Sequence, residues 1–532
     1  MKNDNVYLKQ NVLIEPLFNK WYAWTYLISP ATSSMYMANS HLKIMQSFIA
    51  SPKLHMSALN NPAMIGGSFI SYKADRVNEI KALLEKTNKE QAQMLKLAEA
   101  IKTLTQMLTE QANGYSLEPL YQNIPKILKG YVELVYDLDN NPSIRFIEGL
   151  LYKSKYYDQS LQTVALSLIE QDSRPFVLST PRLMNDQCLH LNFPFSSGEL
   201  DILFKMKEFP NSLSHIKEVL GIQNKDNILF SSFFTKEPYK KYSKYSDCSI
   251  RIRYFGHACI LIETKYLSIL CDPLVSYKHD NSELYRYTYS DLPNKIDYVL
   301  ITHNHQDHCV FETLLQLRHK IVNLVIPKSN NGVLADPSLK LILQNIGFNN
   351  ITEIDEIESI IIPEGYIVSL PFFGEHADLN IRTKTAYLIS IEGKSILCAS
   401  DSNNIEPQLY EHIYEIVGDI DIIFLGMECD GAPLSWLYGS LLTKTFARKI
   451  DQTRRLDGSD CEKGIKLINQ FNPKEVYVYA MGQEPWLTHL TSVQYNEKSR
   501  PVVESNKLIE ECKKRNITSE RLFGHKEIFL GS

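Results

Sequence analysis

Apolar and polar positions change rhythm several times along this chain. Residues 1 to about 73 set short apolar runs against Pro and Ser/Asn breaks, and Trp21, Tyr22, Trp24, Tyr26 and Leu27 form an aromatic-rich patch. Clustered aromatics carry large buried areas, so the patch is read as core or as a subunit contact. From Ala74 to Gln111 the apolar positions Val77, Ile80, Leu83, Leu84, Leu95, Leu97, Ile101, Leu104 and Leu108 recur near helical spacing, with no Pro or Gly before Gly114. This predicts one long amphipathic helix, or two in line. A second helical block is expected from Leu117 to Leu134. Residues 144 to 220 read as mixed, with strands at Phe176-Val-Leu-Ser and Leu189-His-Leu-Asn-Phe and a short helix from Ser212 to Leu220.

Between Asn224 and Cys248 the chain is rich in Lys, Tyr, Ser and Asp, and the domain boundary is placed there. Beyond Ser249 the period shortens. Ile250-Arg-Ile-Arg-Tyr-Phe alternates strictly, which predicts a half-buried strand. Further strands are expected at Cys259 to Glu263, Leu267 to Cys271, Val299 to Ile301, Ile321 to Ile326, Val368 to Phe373, Ala386 to Ile391, Ser395 to Ala399, Ile420 to Leu425 and Val476 to Ala480. Strands in hairpin-like succession, then alternating with helices, predict two sheets covered by helices. The fold class is therefore α/β. An N-terminal mixed α+β domain with a long helix (residues 1–240) is expected to serve dimerisation and substrate access, beside a C-terminal catalytic domain (residues 249–532).

Composition narrows the class. A chain of 532 residues can bury two or three substantial cores. The net charge of -5 and the lack of dense basic runs, other than the short Lys240, Lys241, Lys244 cluster read as solvated linker, exclude a nucleic-acid partner. Nine cysteines without a CxxC pair read as reduced thiols. No signal peptide is recognised, and the apolar run from Trp21 to Ile28 is too short to span a bilayer, so a soluble cytoplasmic protein without a membrane partner is expected.

The chemistry concentrates in Asp297-Tyr-Val-Leu-Ile-Thr-His-Asn-His-Gln-Asp-His308, where an apolar run ends in His303, His305, Asp307 and His308. A strand presents alternate residues on one face, so His303 and His305 can point together. Asp307 and His308 follow at the turn into a helix, so one strand end can serve two metal ions. Downstream, apolar strands repeatedly end in ligand-capable residues: Glu375 and His376, Asp401, Glu428 and Asp430, then Glu484 and His489. Asp401 suits a bridge, since a carboxylate can place one oxygen on each of two cations. Neighbours on an extended chain point opposite ways, so only one of Glu375 and His376 is expected to face a metal.

The His303-x-His305-x-Asp307-His308 motif, with Asp272 before it and Asp401 after, resembles the metallo-β-lactamase superfamily. Three further stretches sharpen the likeness: Gly374-Glu375-His376, Gly426-Met-Glu-Cys-Asp-Gly-Ala-Pro-Leu-Ser-Trp-Leu-Tyr438 and Tyr479-Ala-Met-Gly-Gln-Glu-Pro-Trp486. Together with Pro16-Leu-Phe-Asn-Lys-Trp-Tyr-Ala-Trp24, they resemble the di-iron β-hydroxylases typified by that of chloramphenicol biosynthesis. The resemblance implies a C-terminal αββα sandwich. It implies two iron ions per chain and O2 as co-substrate, with His303, His305 and Glu375 on one iron, Asp307, His308 and a C-terminal His on the other, and Asp401 bridging. His489 is preferred for that last position, with His525 as the alternative. Added carboxylate agrees with iron in place of zinc. His257, Asp272 and His376 are placed around the ligands, and Glu428 and Asp430 along the pocket, with Glu375, Asp401 and Glu428 taken as catalytic.

The implied reaction is O2-dependent β-hydroxylation of an amino acid tethered to a carrier domain of a non-ribosomal peptide synthetase. No flavin or nicotinamide fingerprint is recognised, so electrons are expected from a separate donor, and a homodimer is expected. The alternative is a dizinc hydrolase, in which His376 replaces Glu375 and a metal-bound hydroxide attacks an ester, lactone or thioester.

Overall fold

The computed structural model describes residues 4–61, 64–174, 176–239, 242–445, 447–492 and 494–531. Lys240 and Lys241 of the basic cluster lie outside the described residues.

Two seven-stranded sheets face each other in the second half. The first runs Ile351–Ile354, Ile321–Pro327, Ile296–Leu300, Ser268–Cys271, Cys259–Glu263, Ile250–Gly256, Lys526–Leu530. Its centre is parallel, with Leu270 beside Val299 and Val299 beside Leu324. The second runs Ser359–Ile362, Gly365–Leu370, Ala386–Ile391, Lys394–Cys398, Ile422–Gly426, Glu475–Tyr479, Thr518–Arg521. Ile252, Ile260 and Ile269 of the first sheet pack on Ile389, Ile396 and Phe424 of the second, in a core between the sheets. Helices Gln408–Val417, Cys461–Phe471 and Arg500–Lys514 cover the outer face of the second sheet through Tyr410, Leu467 and Leu508. Helices Phe311–Leu317 and Leu339–Asn345 cover the first. This is the expected αββα sandwich.

The strand from Ile250 departs from its expected half-burial. Ile250, Ile252 and Tyr254 face the inter-sheet core, but Arg253 on the other face is only 5 % exposed. Arg251 and Arg253 both pair with Glu263 of the next strand, at 3.0 Å each, so the polar face is covered and its charges matched.

The first half packs its apolar residues onto the helical layer of the first sheet. Ile14, Phe18 and Trp21 share one core with Phe311, Leu314 and Leu343. Trp21 is fully buried, so the aromatic patch is core. Its four-stranded antiparallel sheet runs Trp21–Tyr22, Val12–Phe18, Gln162–Leu168, Leu189–Leu191. The long helical pattern resolves into Val77–Glu90 and Ala92–Gln111, interrupted at Gln91. Two expectations fail here. The block from Leu117 to Leu134 contains a short 3-10 turn, Glu118–Asn123, and then a strand, Val132–Tyr136. Pro119, Pro125 and the left-handed Gly130 interrupt any helix between them. Phe176 is left-handed and leads into a 3-10 turn, Val177–Ser179, instead of a strand.

Candidate metal centre

The motif leaves the first sheet where the strand Ile296–Leu300 ends, so His303 and His305 stand on a loop and not on the strand itself. Asp272, at the end of the neighbouring strand Ser268–Cys271, fixes that loop. Its Oδ1 accepts from Thr302 N at 2.7 Å, and its Oδ2 from Thr302 Oγ1 at 2.6 Å and from His308 Nδ1 at 2.9 Å. The last bond turns His308 Nε2 inward, where Asp401 Oδ2 lies 3.0 Å away. Asp401 follows the second sheet's strand Lys394–Cys398, and its Oδ2 is also 4.0 Å from His303 Nε2. Gly426 makes room for it: a Cβ there would lie 2.9 Å from Asp401 Oδ1.

Glu375 and His376 both reach the site, contrary to the alternation expected. Gly374, Glu375, Ala377 and Asp378 all have positive φ, so the loop after Gly365–Leu370 is coiled where an extended chain was expected. Glu375 Oε1 sits 2.9 Å from His305 Nδ1, and Glu375 Oε2 3.7 Å from His303 Nε2. His376 Nδ1 meets the other nitrogen of His305, Nε2, at 3.0 Å, and Tyr438 Oη lies 3.1 Å from both. Tyr438 was not singled out by its chemistry, although it closes one of the stretches that carry the family likeness.

His257 and His489 are not where the sequence reading put them. His257 has φ +51° in the turn between Ile250–Gly256 and Cys259–Glu263, and its Nε2 lies 3.3 Å from Asp307 Oδ2. It stands among the ligand-capable groups and not behind them. His489 belongs to no such group among the described residues; its Nε2 is 2.6 Å from Arg174 Nη2, which also grips Glu312. Burial and that guanidinium hold His489 well below the usual histidine range. His525 is exposed and packs on Tyr285 and Tyr287.

Three sets of donor atoms thus cluster within 4.8 Å: His303, His305 and Glu375; His303, His308 and Asp401; His257, Asp307 and His308. Burial, with His308 and His305 beside it, pushes His303 well below the ordinary histidine value, leaving a neutral imidazole of the kind a metal takes. Burial raises Glu375 to about 7. Burial opposes a charge on His308, but Asp401 and Asp272 outweigh it and hold its imidazolium well above the usual range. Five inward atoms, His257 Nε2, His303 Nε2, His308 Nε2, Glu375 Oε2 and Asp401 Oδ1, are buried without a hydrogen-bond partner among the described residues. Buried polar atoms are costly unless satisfied, so this convergence fits bound cations. A cavity of about 290 Å³ opens beside the groups, lined by His305, Asp307, Glu375, Asp401, Glu428 and Asp430. Burial raises Glu428 to about 8, and Tyr495 donates to it at 2.6 Å. Asp430 pairs with Arg455 at 3.0 Å.

Residues 7–238 match the family model described as the diiron non-heme β-hydroxylase N-terminal domain, and residues 251–426 match a β-lactamase superfamily domain. Over 97% of its length the chain is 36% identical to the 4-amino-L-phenylalanyl-(CmlP-peptidyl-carrier-protein) 3-hydroxylase of Streptomyces venezuelae, covering 98% of that protein. It is similar to the crystal structure of CmlA, a diiron β-hydroxylase from Streptomyces venezuelae, with a TM-score of 0.93, 36% identity and 99% of each chain covered. A UPF0173 protein of Pyrococcus abyssi is 29% identical over 24% of this chain and 50% of its own length. No helix among the described residues is long and apolar enough to cross a membrane. With the relative matched nearly from end to end and candidate cation-binding groups of His, Asp and Glu gathered at the strand ends, the chain belongs to the O2-dependent diiron non-heme β-hydroxylases, on a metallo-β-lactamase fold.

Proposed function

We propose that the enzyme hydroxylates the β-carbon of an amino acid held as a thioester on the peptidyl-carrier domain of a non-ribosomal peptide synthetase. The near end-to-end likeness to a relative named for that reaction carries the reading. In this reading the enzyme works in the cytoplasm as a homodimer and takes its electrons from a separate donor protein.

In this reading His303, His305 and Glu375 would hold one iron and His257, Asp307 and His308 the other, with Asp401 beside both groups. Iron bound there supplies the O2 chemistry that inserts oxygen into a C–H bond. The chain's own part is to aim and to sort. Asp272 holds His308, and Tyr438 with His376 holds His305, so each ring keeps one nitrogen inward. Glu428 lines the same cavity and makes no ion pair among the described residues, so it suits the α-ammonium of an aminoacyl thioester.

The test is metal content by plasma mass spectrometry after iron-replete growth, followed by mass analysis of a panel of aminoacyl-carrier domains. Two irons per chain and a one-oxygen gain on a carrier-bound amino acid are expected, with the gain lost in Glu375→His. Zinc with little iron, and thioester hydrolysis without oxygen gain, would sink the reading.

A further inference from the structure

Trp24, Tyr26 and Tyr36 belong to the buried core of the first half, yet they run up to the metal centre. Thr25 Oγ1 donates to Asn304 O at 2.8 Å, which ties the helix Thr25–Ile28 to the loop that carries His303 and His305. Tyr438, at the end of helix Leu434–Tyr438, stands between this aromatic group and the ligands. Its Oη lies 3.1 Å from both His305 Nε2 and His376 Nδ1. On its other side the ring meets Tyr26 edge to face, with centroids 6.2 Å apart. Tyr26 meets Trp24 at 4.8 Å and Tyr36 at 6.2 Å, and those two meet each other at 5.3 Å. All are contact separations for aromatic rings. Tyr438 is 1 % exposed and Tyr26 fully buried, whereas Trp24 and Tyr36 are each 8 % exposed and line a cavity of about 460 Å³. The rings thus make one continuous path from a metal ligand to a cavity wall.

Packing alone does not call for phenols and an indole along this path. Phe372 packs on His303 and His376 with a plain ring. Phenols and indoles differ from phenylalanine in yielding an electron to a strong oxidant. Oxidising a phenol also releases its proton, and His376 Nδ1 is in reach to take the one from Tyr438. Electron tunnelling falls off exponentially with distance, so a series of ring contacts carries charge where one long step fails. These side chains are too hard to oxidise to pass electrons from a weak donor to resting iron. The path therefore conducts only toward a strongly oxidising centre, which is what iron with O2 supplies.

We propose that Tyr438, Tyr26 and the Trp24–Tyr36 pair return electrons to the iron pair when its oxidising equivalents find no substrate, a protective peroxidase-like activity. With hydrogen peroxide as oxidant, two electrons and two protons turn it into two water molecules. Each electron enters from Tyr438, whose hydroxyl proton passes to His376 Nδ1. Tyr438 is refilled through Tyr26 from Trp24 and Tyr36. A small two-electron reductant at the cavity wall, such as ascorbate, supplies both electrons and both protons and leaves as dehydroascorbate. The activity rests on iron at the centre and not on the carrier-tethered substrate.

The experiment mixes the iron-loaded full chain with hydrogen peroxide in the absence of substrate, freeze-quenches it for electron paramagnetic resonance, and follows ascorbate oxidation in parallel. A radical signal that narrows when the protein carries ring-deuterated tyrosine is expected, with peroxide-dependent ascorbate oxidation. Tyr438→Phe should lose both, and its iron content is measured alongside because the phenol also touches His305. Tyr26→Phe keeps the ring and removes the oxidisable hydroxyl. It should retain the signal and lengthen its life in ascorbate. If Tyr438→Phe loses iron, that lifetime decides: equal decay in wild type and Tyr26→Phe would overturn the path. No tyrosyl signal in wild type holding two irons, or one that Tyr438→Phe retains, would overturn the proposal, and hydroxylation of a carrier-bound amino acid by the same preparation would leave the hydroxylase reading standing.

Discussion

A buried imidazole serves a cation only if its free nitrogen faces carboxylates and not another cation. His257 Nε2 faces Asp307, whereas His489 lies against the Arg174 guanidinium. The expected outcome is that His257→Ala lowers iron to about one ion per chain, and that His489→Ala keeps both ions, read by plasma mass spectrometry. Asp272 acts one step behind, through His308 and Thr302. Asp272→Asn should weaken iron about 10- to 100-fold in chelator competition, since outer partners orient ligands and set their basicity. The His303 to His308 motif was legible because its ligands are neighbours in sequence. Glu375 was legible only through family likeness: alternation allowed just one of Glu375 and His376 to face inward, and the coiled loop brings both.

At the scale of elements, loops after strands carry the ligands, and their backbone is held in costly conformations. Gly374 has φ +76°, and a Cβ there would meet Asn403. Gly374→Ala should cost about 1–2 kcal/mol or more from the left-handed backbone, and loosen iron by shifting Glu375. A lower Tm with reduced iron content checks it. Near helix Gly198–Lys205, Lys207 is buried over the rings of Tyr277 and Tyr289, and its Nζ has no hydrogen-bond partner among the described residues. Burial lowers its pKa to about 7 from 10.5, with Glu312 opposing. Between pH 7 and 10.5 the unfolded chain therefore binds the extra proton, and stability from this group rises with pH across that window. Lys207→Met should raise Tm at pH 7 and flatten that rise in thermal melts from pH 7 to 10. The helical block expected over Leu117 to Leu134 fails because Pro119, Pro125 and the left-handed Gly130 outweigh its apolar spacing.

Across the whole molecule, a buried charge cluster ties the two halves together. Arg174 reaches Glu312 at 3.0 Å and Glu15 at 3.5 Å, Arg182 holds Glu15 at 2.8 Å, and Tyr22 donates to Glu312 at 2.9 Å. Removing one member strands the others in low dielectric. Arg174→Ala is expected to cost about 3–5 kcal/mol in denaturant unfolding. Binding that favours the folded chain adds stability, so stripping iron should also lower Tm, and restoring Fe(II) should recover it.

Sequence alone determined what is local. Alternation and helical spacing marked most sandwich strands and the paired helices Val77–Glu90 and Ala92–Gln111, and a six-residue window supplied four ligand-capable groups. Tertiary structure decided what depends on distant segments meeting. His257 comes from a hairpin turn on the far side of two strands, Arg174 claims His489, and Tyr438 joins His305 to Tyr26 of the first half. Periodicity fixes which face a residue takes within its own element. Only the packing of whole elements fixes which nitrogen, carboxylate or cation lies opposite it.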